Sequence, residues 1–229
     1  QVGDRTRRRK GKGLKIGFDL MGSDTAPVNE LHALELLKED PMGELLVVGK
    51  GDYESDVKNL GFDFRLADEV IGMHEIPAVA VRQKRNSSLA ILVDMLKNKE
   101  LAAIVSAGNT GAILGFSMIN LRAIEGISRA GLAITVPTAS GYSVMIDVGA
   151  NIHPKSVDYY NYGMMGAAFA EIVLTKEKPR VAILNIGAES AKGDDIRQKA
   201  YQQLQESGLN FIGNIEGNDI MKGFADVVV

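Results

Sequence analysis

From Leu14 onward, short apolar runs alternate with segments whose apolar residues recur at helical spacing. The runs cover 14–21, 44–49, 102–108, 142–149, 180–187, 210–215 and 225–229, and several are hydrophobic without polar alternation. A strand covered on both faces reads this way, because neither side meets water. The stretches 28–38, 88–97, 112–123, 156–174 and 194–206 carry amphipathic helical patterns. Pro27 suits a first helical position, and Ser87 or Ser88 suits an N-cap. Strands joined through helix-length connections imply parallel βαβ units, hence an α/β fold: a three-layer α/β/α sandwich with a mostly parallel sheet. Residues 14–229 read as a single domain, with 1–13 as a flexible basic tail. There is no internal repeat, heptad pattern or low-complexity linker. The last run reaches Val229 with no cap, turn or polar tail, and reads as a strand cut short.

The chain has 229 residues, 45% hydrophobic and 24% charged, values ordinary for a globular protein. It has no cysteine, which excludes disulfides, thiolate metal sites, iron–sulfur clusters and a cysteine nucleophile. No apolar run approaches the roughly 18 residues of a membrane-spanning helix. The basic N-terminus has no apolar stretch behind it, so it does not read as a secretory signal. Residues 1–15 carry four Arg, three Lys and one Asp, a net +6, so with an overall charge of −3 the remainder carries −9. An acidic body with 6% aromatics and no Trp gives nucleic-acid binding little support.

Glycine placement sharpens the picture. Gly22, Gly108 with Gly111, Gly149 and Gly187 each follow the carboxyl end of an expected strand, with Ser, Asn, Thr, Asp or Glu close by. Ligands of open α/β sheets bind at that edge, where glycine permits close backbone approach and helix N-termini favour anions. A tight βα turn would by itself also call for glycine. Named motifs are absent: GAESAKG has Lys before Gly and is not a P-loop, and neither G-x-G-x-x-G after a strand nor G-x-S-x-G occurs. His32, His74 and His153 have no ligand spacing, so no metal site is expected. What remains is a polar site with no evident covalent nucleophile. Asn109, Asn151, Asn185 and Asn214 can orient a carbonyl or phosphate, and Lys192 can neutralise negative charge at a loop-to-helix junction. Arg82, Lys84 and Arg85 stand just before a helix N-terminus, where they could dock an anion or simply face solvent. Such a set suits a reaction whose substrate brings its own nucleophile, for example inorganic phosphate attacking an activated acyl group.

The blocks KIGFDLMGSDTAP, GMHEIPAVAVRQKRNSSL, IVSAGNTGA, MIDVGAN, RVAILNIGAESAKG, NFIGNIEGNDI and ADVVV occur in the order found in the PlsX phosphate acyltransferases, which the chain resembles from about Leu14 to its last residue. The resemblance implies a bacterial enzyme that moves a fatty acyl group from acyl carrier protein to inorganic phosphate. The acyl phosphate product would feed a glycerol-3-phosphate acyltransferase in phospholipid synthesis. It also implies a fold like isocitrate and isopropylmalate dehydrogenases and phosphotransacetylases, no cofactor, a homodimer, and a cytoplasmic protein peripherally associated with the membrane. By position in the family's blocks, Lys192 and Asn109 are the expected catalytic residues. Asp19, Gly22, Asp24, Arg82, Ser87, Ser88, Gly108, Thr110, Gly111, Asp147, Asn151, Gly187, Glu189 and Asn214 are expected to line the substrate and phosphate site. The family usually has Gly where this chain has Ser23, and Pro where it has Ala130. Its members continue past the DVVV strand, so a C-terminal portion is expected to be lacking here. A short-chain phosphate acyltransferase acting on acyl-coenzyme A, and a catalytically silent membrane-associated scaffold, are the competing readings.

Overall fold

The computed structural model describes residues 14–39 and 43–229. The basic tail, 1–13, lies outside the described residues. The chain divides into two compact units, the first running to Arg122 and the second from Ala123 to Val229. Each builds its own sheet. Hydrophobic patterning reports what each segment is, but not which sheet it joins. The break falls in irregular backbone whose residues 121–126 are exposed.

In the first unit, β1 (Lys15–Asp19), α1 (Val28–Glu39), β2 (Glu44–Gly49), α2 (Glu54–Asn59), β3 (Asp63–Leu66), α3 (Pro77–Gln83), α4 (Ser88–Lys97), β4 (Ala103–Val105) and α5 (Thr110–Asn120) follow in order. The strands lie β3-β2-β1-β4, all parallel. Successive residues of β2 point to opposite faces, and both faces are covered. Val47 packs with Leu34 of α1 and Val57 of α2. Leu46 and Val48 pack with Leu92 and Met95 of α4. Three layers follow from that alternation. A further cluster joins Ala80 and Val81 of α3, Val93 of α4 and Phe116 of α5.

The second unit contains β5 (Ala133–Thr138), β6 (Gly141–Ile146), α6 (Ser156–Val173), β7 (Arg180–Leu184), α7 (Asp195–Gln205), β8 (Asn210–Ile215), α8 (Gly217–Ile220) and β9 (Val227–Val228). Its order is β5-β6-β9-β7-β8, with an antiparallel β5–β6 hairpin and parallel pairing elsewhere. Val181 and Ile183 bury against α6 and α7 through Tyr162, Ala170, Ala200 and Leu204. On the other face, Ala182, Ile215 and Val228 meet Ile220 of α8.

β3 and β5 escape the apolar-run criterion because both are edge strands. β3 buries none of its four residues, and Pro137 interrupts β5.

Candidate functional site

The expected site residues divide between the two units. Asp19, Gly22, Asp24, Arg82, Ser87, Ser88, Gly108, Asn109, Thr110 and Gly111 belong to the first, and Asp147, Asn151, Gly187, Glu189, Lys192 and Asn214 to the second.

In the first unit, the loops after β1 and β4 meet. Asp19 is 1% exposed and accepts hydrogen bonds from Ser106 Oγ (2.7 Å) and the Met21 amide (3.0 Å). Burial pushes its carboxyl above the ordinary carboxylate range, against the Ser106 and Ser88 hydroxyls and the Met21 amide, which favour the charged form. A Cβ on Gly22 would stand 2.7 Å from the Gly108 amide nitrogen, and one on Gly111 would stand 2.5 Å from Pro77 Cγ. At these glycines loop packs on loop and helix on helix. Ser87 caps α4, accepting from the Ala90 amide at 3.3 Å and donating to the Lys84 carbonyl at 2.8 Å.

Asn109 caps α5 through Oδ1, which accepts from the Ala112 amide at 3.1 Å. Its Nδ2 donates to the carbonyls of Gly72 (3.2 Å), Met73 (3.3 Å) and Glu75 (3.0 Å). The side chain is 5% exposed, and its bonds hold the 72–75 loop against α5. Lys84 is likewise occupied, bonding the Val70 carbonyl and the Glu75 carboxylate, each at 2.7 Å. Asp24, Arg82 and Thr110 are exposed.

The second unit presents more free chemistry. A cavity of about 250 Å³ lies where the chain leaves β6 and β7, beside the first turns of α6 and α7. Asp147, Asn151, Tyr159, Tyr162 and Arg197 line it. The Asp147 carboxylate accepts from the amides of Leu132 (2.8 Å), Ala150 (3.2 Å) and Asn151 (2.7 Å), and from Asn151 Nδ2 (3.0 Å). Asn151 Nδ2 also donates to the Ala130 carbonyl at 2.8 Å. The pair thus shapes the wall of the cavity. Burial first, and the nearby Asp147 and Asp158 carboxylates next, push the Tyr162 hydroxyl up to about 12, so it stays protonated. Burial also raises Tyr159, with Arg197 opposing; that guanidinium lies 5.8 Å from the Tyr159 ring centroid and 2.6 Å from Asp194. Sequence reading passed over Tyr159, Tyr162 and Arg197. The one available signal was a cation and two aromatics in the first turns of helices that follow glycine loops.

On the neighbouring β7–α7 connection, Lys192 is exposed, and among the described residues it takes part in no ion pair. Its stem lies over Gly187: a Cβ there would stand 3.0 Å from Lys192 Cγ, 3.2 Å from Cε and 2.8 Å from Glu189 Oε2. Asn185 and Asn214 lie beneath the loop, 9% and 7% exposed. Their amides donate to the carbonyls of Lys192 (3.0 Å) and Glu189 (2.8 Å) rather than outward. Among the described residues no group of three or more His, Asp or Glu side chains is placed to hold a metal ion.

The model of a family described as fatty acid synthesis protein matches residues 14–229. A curated phosphate acyltransferase from Syntrophotalea carbinolica is 38% identical over 220 residues, covering 93% of this chain and 63% of its own length. The chain thus spans less than two thirds of that relative. Among solved structures, a phosphotransacetylase from Staphylococcus aureus superposes with a TM-score of 0.61 at 19% identity, covering 96% of this chain and 78% of the other. A branched-chain phosphotransacylase from Enterococcus faecalis gives 0.64 at 11% identity, covering 94% and 78%. At those identities the likeness is one of fold.

Proposed function

The chain belongs to the fatty acid synthesis protein family, the PlsX family, and on that footing we propose that it transfers a fatty acyl group from acyl carrier protein to inorganic phosphate. The observation that carries this reading is Lys192, an exposed cation on a braced loop at the carboxyl end of β7. A phosphate oxygen attacks the thioester carbonyl carbon, a C–O bond forms and the C–S bond breaks. The phosphate proton passes to the departing thiolate, giving acyl phosphate and free carrier thiol. No side chain needs to become acylated. The task of the protein is to align a dianion with a carbonyl and to offset charge on the oxyanion, which one well-placed ammonium serves.

The same reading takes Asp147, Asn151, Gly187 and Glu189 of the second unit as the lining of its phosphate site, and it keeps the fold kinship with isocitrate and isopropylmalate dehydrogenases. It places the protein in the cytoplasm as a homodimer that associates peripherally with membrane and delivers product to a glycerol-3-phosphate acyltransferase. No described helix is long and apolar enough to cross a membrane.

The test supplies palmitoyl acyl carrier protein with and without phosphate, and traps product with hydroxylamine. Phosphate-dependent hydroxamate is expected, with Lys192→Ala reducing the rate by about 100-fold or more. Faster turnover with acetyl- or butyryl-coenzyme A would reassign the donor to the short-chain class. Carrier binding without turnover would leave a scaffold.

A further inference from the structure

We propose that Gln198 is a positioning residue for Lys192, fixing the direction in which the ammonium leaves the backbone. The inference rests on the reading of Lys192 as the cation that meets phosphate. The two peptide planes that flank a Cα set where its side chain points, because each plane is rigid and only φ and ψ can turn between them. Both planes around Lys192 are held. In the first, the Ala191 carbonyl accepts from Gln198 Nε2 at 2.9 Å, while the Lys192 amide donates to the Glu189 carbonyl at 3.1 Å. In the second, the Lys192 carbonyl accepts from Asn185 Nδ2 at 3.0 Å. Gln198 uses its other amide hydrogen on the Gly193 carbonyl, at 3.2 Å, so one side chain grips the loop on both sides of the lysine.

The anchors are themselves firm. Asn185 directly follows β7, is 9% exposed, and accepts on Oδ1 from the Ile186 amide at 2.9 Å. Gln198 sits in the first turns of α7, where its amide donates to the carbonyl of the N-cap Asp194 at 3.0 Å. Gly193, at φ +88°, lets the chain turn between them. A Cβ there would stand 2.8 Å from both Asn185 side-chain polar atoms, so a larger residue would break the clamp. Strand end and helix start therefore hold opposite sides of one lysine, while its side chain remains exposed. A merely structural amide would brace the loop anywhere; these act on the two planes that orient Lys192.

The experiment is a double-mutant cycle on the intact protein, with phosphate-dependent acyl transfer from acyl carrier protein as the assay. Gln198→Leu removes the donor, and Gln198→Glu keeps the shape without it. Either change is expected to lower kcat by about 10- to 100-fold, the scale of a misplacement near 1 Å, with KM for the acyl donor and the thermal midpoint unchanged. In a Lys192→Ala background, adding Gln198→Leu is expected to cost nothing more, since both act through one group. A fully active Gln198→Leu beside an inactive Lys192→Ala would overturn the clamp and leave the acyltransferase reading standing, as would losses that multiply. An unimpaired Lys192→Ala would overturn both. Hydrogen exchange of the Lys192 amide, which donates to the Glu189 carbonyl, reads the clamp without turnover: Gln198→Leu is expected to speed it, and unchanged protection would overturn the proposal.

Discussion

At the scale of single residues, the glycines of the βα loops illustrate how one pattern can have several causes. Gly22 and Gly111 admit a neighbouring loop and a proline, Gly149 adopts φ +111° with open space around it, and Gly187 leaves room for the Lys192 stem. Gly149 lines the cavity, and Gly187 bears directly on the lysine loop. A methyl group at 187 would press on flexible side-chain atoms of Lys192 and Glu189, which can move aside. Gly187→Ala is therefore expected to fold normally, with a thermal midpoint within about 2 °C of the parent, yet to lose about tenfold in kcat as the ammonium shifts. Equal loss of stability and activity would refute this. Asp226 shows the opposite balance of local forces. Burial alone would raise its carboxyl, but hydrogen bonds from the Arg180 side chain and amide, and from Lys176, pull it down to about 2. Its ordinary value is 3.8, so the stabilisation is present above about pH 4 and is lost as pH falls toward 2. Allowing for the half-exposed Arg180, Asp226→Asn should cost ~1–2 kcal/mol at neutral pH. Urea unfolding at pH 7 and pH 3 checks this, the gap between the proteins narrowing at the lower pH.

At the scale of elements, α6 owes its seat to small residues. A Cβ on Gly166 would lie 2.5 Å from Val227 Cγ1 of β9, and one on Gly163 would lie 2.7 Å from Leu204 Cδ2 of α7. Helix propensity favours alanine over glycine by ~1 kcal/mol. Overpacking against a branched side chain on a central strand costs ~1–3 kcal/mol, so packing wins. Gly166→Ala should lower the unfolding midpoint, and a rise would show that propensity decides instead. The amphipathic pattern of 156–174 foretold the helix, now Ser156–Val173, but not why glycines sit inside it. Packing partners come from β9 and α7, far away in sequence.

At the scale of the whole molecule, the chain divides at Arg122 into two compact units. Each unit has its own buried clusters, and residues 121–126 between them are exposed and lack regular structure. Backbone of that kind is where proteases cut first. Brief trypsin digestion should cleave at Arg122 before any site within a strand, and two lasting fragments on a gel would confirm the boundary. Early cleavage within a sheet would contradict it.

By itself, the sequence determined the fold class, the positions of most central strands and long helices, and the family. These depend on apolar periodicity, helix start signals and ordered blocks such as RVAILNIGAESAKG, all of which are local in the chain. It also singled out Lys192, through its place in the RVAILNIGAESAKG block that carries the family resemblance. Tertiary structure alone decided which polar groups remain available. Asn109, Asn185 and Asn214 look identical to free amides in a sequence, yet each donates to carbonyls brought beside it by the fold. The division into two units, the cavity beside Arg197 and Tyr162, and the grip of Gln198 on the lysine loop were hidden for the same reason. Hydrogen-bond satisfaction and burial depend on neighbours that only folding assembles.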